Sequence, residues 1–159
     1  MRAFWVVLAF SLLGANASAQ TRPPLDRGLY YIQDYDAARD PAADLSRVVE
    51  RARQNNLRIL LVVGGDWCAW CHILDDYIAS NAIVREEFGH SFIILKVNMN
   101  QRNPNEAFLS RFPPSSGYPD FFVLDADGSF LAQQDTAELE RGNGYNRNRM
   151  IAFARQWRR

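Results

Sequence analysis

The stretch Ile59-Leu60-Leu61-Val62-Val63-Gly64-Gly65-Asp66-Trp67-Cys68-Ala69-Trp70-Cys71-His72 joins a continuous apolar run to both cysteines of the chain. The run from Ile59 to Val63 is built of β-branched residues and leucine, the composition of a strand buried on both faces of a parallel sheet. Beyond it Trp70, Leu74, Tyr77 and Ile78 keep a helical period, so Cys68 falls near the start of a helix and Cys71 one turn in. A C-x-x-C pair at a strand-to-helix junction serves either as a redox-active dithiol or, when histidine follows as His72 does here, as an attachment site for c-type haem.

On either side of this junction the same two periods recur. Asp40-Pro41 reads as an N-cap followed by proline at the first helical position, and Leu45, Val48, Val49 and Ala52 then mark an amphipathic helix ending near Asn55-Asn56. After the cysteine motif, Ala82 to Phe88 predicts a helix, Phe92 to Val97 a strand, and Asn103 to Phe112 a short helix stopped by Pro113-Pro114. Tyr118-Pro119 precedes a strand from Phe121 to Leu124. Asp125-Ala126-Asp127-Gly128 is a hairpin turn into Ser129 to Gln133, and Met150, Phe153, Ala154 and Trp157 share one face of a closing helix.

Residues 1–19 read as a cleavable signal segment: Arg2, an apolar stretch from Ala3 to Leu13, and small residues at Ala17-Ser18-Ala19 before Gln20. Export to the periplasm or beyond the cell is the expectation. The 18 basic and 18 acidic residues of the chain balance, and removing Arg2 leaves 17 against 18, which carries no bias toward nucleic acid. The arginines at 141, 147, 149, 155, 158 and 159 therefore read as a solvated helix face. Residues 20–39 read as an N-terminal extension, loop or one short strand, and residues 40–159 as one domain.

Outside the cytoplasm a close cysteine pair persists as a disulfide. As a purely structural bridge it would do little, because a link over two intervening residues hardly constrains the unfolded chain. With His72 and His90 the only histidines, zinc spacing is missing and no metal is expected. Asp125, Asp127 and Ser129 imitate a calcium loop, but Phe130 and Thr136 stand where its glycine and glutamate belong.

Three features together, Trp-Cys-x-x-Cys after a buried strand, proline immediately before a later strand, and a hairpin followed by a terminal helix, resemble the thioredoxin family over residues 40–159. The resemblance implies an α/β thioredoxin-like fold, a central mixed β-sheet flanked by helices. It implies a protein-disulfide oxidoreductase with no cofactor beyond the Cys68-Cys71 disulfide, with Cys68 as the nucleophile and Cys71 as the resolving thiol. It implies a cis Pro119 facing the disulfide, with Tyr118 presented to substrate, and a Trp67 that shields the cysteines. Trp70, between the cysteines, either offers partner contact or packs back on the helix.

Asp66 reads as a helix cap or a modulator of thiol ionisation, and His72 as a modulator or a solvated helix position. The chain departs from the family in two ways. The strand Ile59 to Val63 lacks the buried acid that thioredoxins carry there, so deprotonation of Cys71 needs another group or water. The dipeptide Ala69-Trp70 matches neither the Gly-Pro of thioredoxins nor the Pro-His of strongly oxidising members. Expected partners are protein thiols and disulfides and, for a reductase, a membrane thiol electron transporter. The competing expectations are a haem-binding electron carrier using Cys68, Cys71 and His72, and a non-catalytic chaperone or interaction module that kept the fold.

Overall fold

The computed structural model describes Asp26 and residues 28–159; the signal segment and the cleavage point before Gln20 lie outside the described residues. Five strands, β1 (Tyr30–Ile32), β2 (Arg58–Gly64), β3 (Phe92–Asn98), β4 (Asp120–Leu124) and β5 (Phe130–Asp135), form one sheet in the order β1-β3-β2-β4-β5. β1 and β2 run parallel to β3, while β4 runs antiparallel to both β2 and β5. The central strand β2 is thus covered on both edges as well as both faces, which is why its sequence is an unbroken apolar run.

Alternation along the strands sorts the core into two layers. Leu60, Val62, Ile94, Phe121 and Val123 face α2 (Ala69–Ser80), α3 (Ala82–Ser91) and α5 (Arg147–Gln156) through Leu74, Ile78, Phe88, Met150 and Phe153. Ile59, Leu61, Val63, Leu95 and Phe122 face α1 (Pro41–Asn55) through Leu45, Val48 and Ala52, and the single turn α4 (Glu106–Leu109) through Phe108. The ends of α1 follow the expected chemistry. Asp40 accepts from the N–H groups of Ala42 and Ala43, and Asn56 closes the helix in the left-handed region at φ 54°.

Two elements and one boundary differ from the sequence reading. The N-terminal stretch supplies the one short strand allowed for it, β1, but Tyr30 and Tyr35 enter the core, so the sheet begins before residue 40, where the domain was expected to start. The helix expected from Asn103 to Phe112 shrinks to α4, because asparagine side chains capture the backbone. Asn100 Oδ1 accepts from Arg102 and Asn103 N–H, and Asn105 Nδ2 donates to the Asn98 carbonyl at 2.6 Å. A small hairpin, β6 (Glu140–Arg141) and β7 (Gly144–Tyr145), was not expected, although Gly142-Asn143 between them is a two-residue turn signal.

Four arginines of the C-terminal region pair with other elements of the fold. Arg155 and Arg158 both reach Glu87 on α3 at 2.6 Å, and Arg159 reaches Asp125 at 2.9 Å. Arg149 donates to the carbonyls of Glu138 and Glu140. Among the described residues no helix is long and apolar enough to cross a membrane.

Candidate active site

β2 ends at Gly64, and the chain turns through Gly65, Asp66 and Trp67 into α2 with Cys68 as its N-cap. Cys68 and Cys71 are joined by a disulfide, with Cα atoms 5.3 Å apart. Cys68 Sγ also accepts from the Cys71 N–H at 3.1 Å, taking the capping place that the sequence reading offered to Asp66. The correction has a geometric cause: the helix starts one residue after the first cysteine, so Asp66 lies too far upstream and is exposed. The Cys71 N–H and the positive end of the helix dipole are directed at Cys68, the environment that favours a thiolate.

The two cysteines are not equivalent toward solvent. Cys68 retains 4% of its surface and Cys71 none, so an incoming group meets Cys68 first. Gly64 is what lets Cys71 sit against the strand: a Cβ there would lie 2.5 Å from Cys71 Sγ and 3.1 Å from the Tyr35 hydroxyl. Gly65 is equally constrained by the Trp67 indole.

Trp67 is 56% exposed and forms a rim beside the disulfide instead of entering the core. Its Nε1–H donates to the Met99 carbonyl at 2.8 Å and its ring meets Tyr118 edge to face at 5.5 Å. The Tyr118–Pro119 peptide is cis, and Pro119 is buried with its carbonyl accepting from Thr136 Oγ1 at 2.5 Å. Burial raises the Tyr118 hydroxyl above the ordinary range of a phenol. Two clefts flank the Trp67–Tyr118 pair and share Met99. One, of about 1010 Å³, is lined by Asp34, Tyr35, Asp66 and Arg102; the other, of about 540 Å³, is lined by Leu109, Phe112, Pro114 and Tyr118.

Of the two readings of Trp70, the structure takes packing. The ring is half-buried against the core and meets Tyr145 of β7 edge to face at 5.9 Å, so the hairpin missed in the sequence is what receives it. His72 Nε2–H donates to the Asp66 carbonyl at 2.7 Å, bracing the turn that leads into α2. Sequence reasoning missed a buried ion pair on the same sheet face: Lys96 Nζ of β3 lies 2.6 Å from Asp75 Oδ2 of α2, both essentially buried. Asp75 stands four residues after Cys71, on the same side of the helix.

The model of the thioredoxin-like family matches residues 40–126, more than half of the chain. This chain belongs to the thioredoxin-like family. The disulfide bond reductase DsbH of Chlamydia pneumoniae is 25% identical over 97 residues, which cover 55% of this chain and 58% of that protein. Among solved structures, the disulphide isomerase of Xylella fastidiosa Temecula1 shares the fold with a TM-score of 0.63 at 19% identity, over 79% of this thioredoxin-like chain and 97% of its own. The C-terminal domain of DsbD from Neisseria meningitidis, in its oxidised form, has a TM-score of 0.57 at 20% identity, over 75% and 97% of the two chains. The expected mixed sheet flanked by helices is therefore the fold of the family as well as of this chain.

Proposed function

We propose that this protein is an exported thiol–disulfide oxidoreductase that reduces disulfides in other extracytoplasmic proteins. The observation that carries the reading is the Cys68–Cys71 disulfide at the start of α2, with only Cys68 reachable from solvent. Membership of the thioredoxin-like family and the description of the chlamydial relative as a disulfide bond reductase support the direction. The signal-like segment at residues 1–19 supports export.

In the reduced protein the Cys68 thiolate attacks a substrate disulfide. One Cys68–substrate sulfur bond forms, the substrate S–S bond breaks, and the leaving sulfur takes a proton from water. Cys71, deprotonated, then attacks Cys68 Sγ; the intramolecular disulfide forms and the second substrate sulfur leaves as a thiol after protonation. Two electrons have passed from the dithiol to the substrate, and a membrane thiol transporter would return them. The clefts beside Trp67 and Tyr118 would take the chain on either side of the substrate cysteine, with the backbone at Tyr118-Pro119 as the wall it lies along.

The reading is tested with reduced protein and insulin. Cys68→Ser abolishes reduction, and Cys71→Ser accumulates a mixed disulfide with substrate. A Cys68→Ser protein that reduces insulin at the unsubstituted rate overturns the assignment. A covalent haem band near the Soret region in purified protein would instead support the electron-carrier reading. Export is tested by the N-terminus of the secreted protein, expected at Gln20; retention of residues 1–19 refutes cleavage.

A further inference from the structure

Tyr35 lies in the segment before α1 and is 5% exposed, with its hydroxyl buried and without a hydrogen-bond partner among the described residues. A buried hydroxyl left unsatisfied costs stability, and such groups call for an explanation. The geometry around Gly64 supplies one. A Cβ on Gly64 would lie 3.1 Å from the Tyr35 oxygen and 2.5 Å from Cys71 Sγ, so the hydroxyl and the buried sulfur border the same small space. In the disulfide that sulfur is a poor acceptor. As a thiolate it becomes a strong, charged one.

We propose that the Tyr35 hydroxyl donates a hydrogen bond to the Cys71 sulfur once the disulfide opens, stabilising the resolving thiolate in a site that has no carboxylate on β2 to assist it. The idea rests on the assignment of Cys71 as the resolving thiol. The groups that face Tyr35 fit a donor that keeps its own proton. Lys96 Nζ of β3 lies 4.8 Å from its ring centre, and Asp75 of α2, Tyr30 of β1, Tyr145 of β7 and Asp66 of the turn surround it. Burial first, then the charge of Asp75, holds the Tyr35 phenol well above its ordinary ionisation range. The proton that Cys71 gives up passes to water, Cys71 attacks Cys68 Sγ, and Tyr35 remains a phenol throughout.

The test is a thiolate-absorbance titration of the single Cys71 in a Cys68→Ser protein, with and without Tyr35→Phe. A lost hydrogen bond to the charged sulfur lowers the thiolate fraction at a given pH about tenfold. In the two-cysteine protein, product release from the mixed disulfide then slows about threefold, because nucleophilicity rises as the thiolate fraction falls. Oxidised Tyr35→Phe unfolds at a urea midpoint no lower than that of the unsubstituted protein, since the oxygen removed had no partner among the described residues. A measurement without substitution at Tyr35 stands beside these: its 13Cζ resonance moves on reduction of the unsubstituted protein and stays put under the same treatment of Cys71→Ala.

An unshifted Cys71 titration in Tyr35→Phe, or a 13Cζ resonance indifferent to reduction, overturns the proposal. Failure of the unsubstituted protein to reduce insulin, with the titration difference intact, overturns the reductase reading and leaves the hydrogen bond standing.

Discussion

Removing one member of the Lys96–Asp75 pair should destabilise this domain more than any single substitution at its surface. The two side chains are 3% and 4% exposed and 2.6 Å apart, so deleting either strands the other charge where water cannot reach it. Such deletions cost about 3–5 kcal/mol, a large part of the ~5–15 kcal/mol that holds a domain together. The two deletions are not equal. In Asp75→Leu the ammonium keeps the faces of Tyr35 and Tyr30, at 4.8 and 5.6 Å, which places the cost near the lower end, about 3 kcal/mol. In Lys96→Met the carboxylate loses its cation at 2.6 Å and keeps the neutral Tyr30 hydroxyl, so the cost lies nearer the upper end. The double variant Asp75→Leu/Lys96→Met fills the same space with apolar groups and should lie within about 1 kcal/mol of the unsubstituted protein. Urea unfolding of the oxidised forms, with midpoints compared at constant m, measures all four corners. A single-variant cost below about 1 kcal/mol, or a double variant as unstable as the sum of its parts, would refute the reasoning.

Gly64→Ala should destabilise the oxidised protein by about 1–3 kcal/mol, since its Cβ would sit 2.5 Å from Cys71 Sγ; an unchanged urea midpoint would contradict that close approach. Asp40→Ala removes the acceptor for the Ala42 and Ala43 N–H groups and should cost about 1 kcal/mol, read as a lower Tm. The Glu87 carboxyl is held below its ordinary value by the Arg155 hydrogen bond, against burial and with the charges of Arg155, Arg158 and His90. Its contribution is present above the unfolded value of 4.5 and fades as the pH falls through the lower folded value. Glu87→Gln should therefore flatten the acid end of the stability profile, and a profile with the same slope below pH 4.5 would show that the ion pairs with Arg155 and Arg158 contribute nothing.

The parts of the fold that were legible before the structure are those with length and period. The run from Ile59 to Val63, the stripe Leu45, Val48, Val49 and Ala52, and the Asp125–Gly128 turn each carry their signal within a few consecutive residues. The turn closes as expected, with Asp125 N–H donating to the Ser129 carbonyl at 2.8 Å and Gly128 at φ +87°. What escaped was short or non-local. β1, allowed for as one short strand but not located, has three residues and is a strand because β3 is there to pair with it. The asparagines between β3 and α4 look like helix context by spacing, yet their amides bond the backbone of neighbours two to seven residues away. At the site, both cysteines were legible from spacing alone, whereas Tyr35 was not. It lies 36 residues before Cys71, in a stretch with no period, and only the path of the chain brings the two together.

The missing acid of β2 shows why a site can be read correctly in outline and incompletely in substance. Val62 occupies the middle of β2 and pairs in register with Lys96 of β3, so a carboxylate on β2 would meet that lysine from the neighbouring strand. Here the carboxylate arrives from above the sheet, from Asp75 on α2, and reaches the same ammonium. The two solutions are indistinguishable to the lysine, which needs one buried anion within hydrogen-bonding distance and is indifferent to the element that supplies it. They differ for Cys71. An acid on β2 would be fixed to the sheet, whereas Asp75 is fixed to the helix that carries the cysteines, and its distance from Cys71 is set by a single helical turn. The space against β2 is then left to Gly64 and the Tyr35 hydroxyl, a neutral donor in a place where the family carries a charge. With the acid on α2, β2 is apolar throughout, and a phenol from the N-terminal segment borders the same space as the Cys71 sulfur.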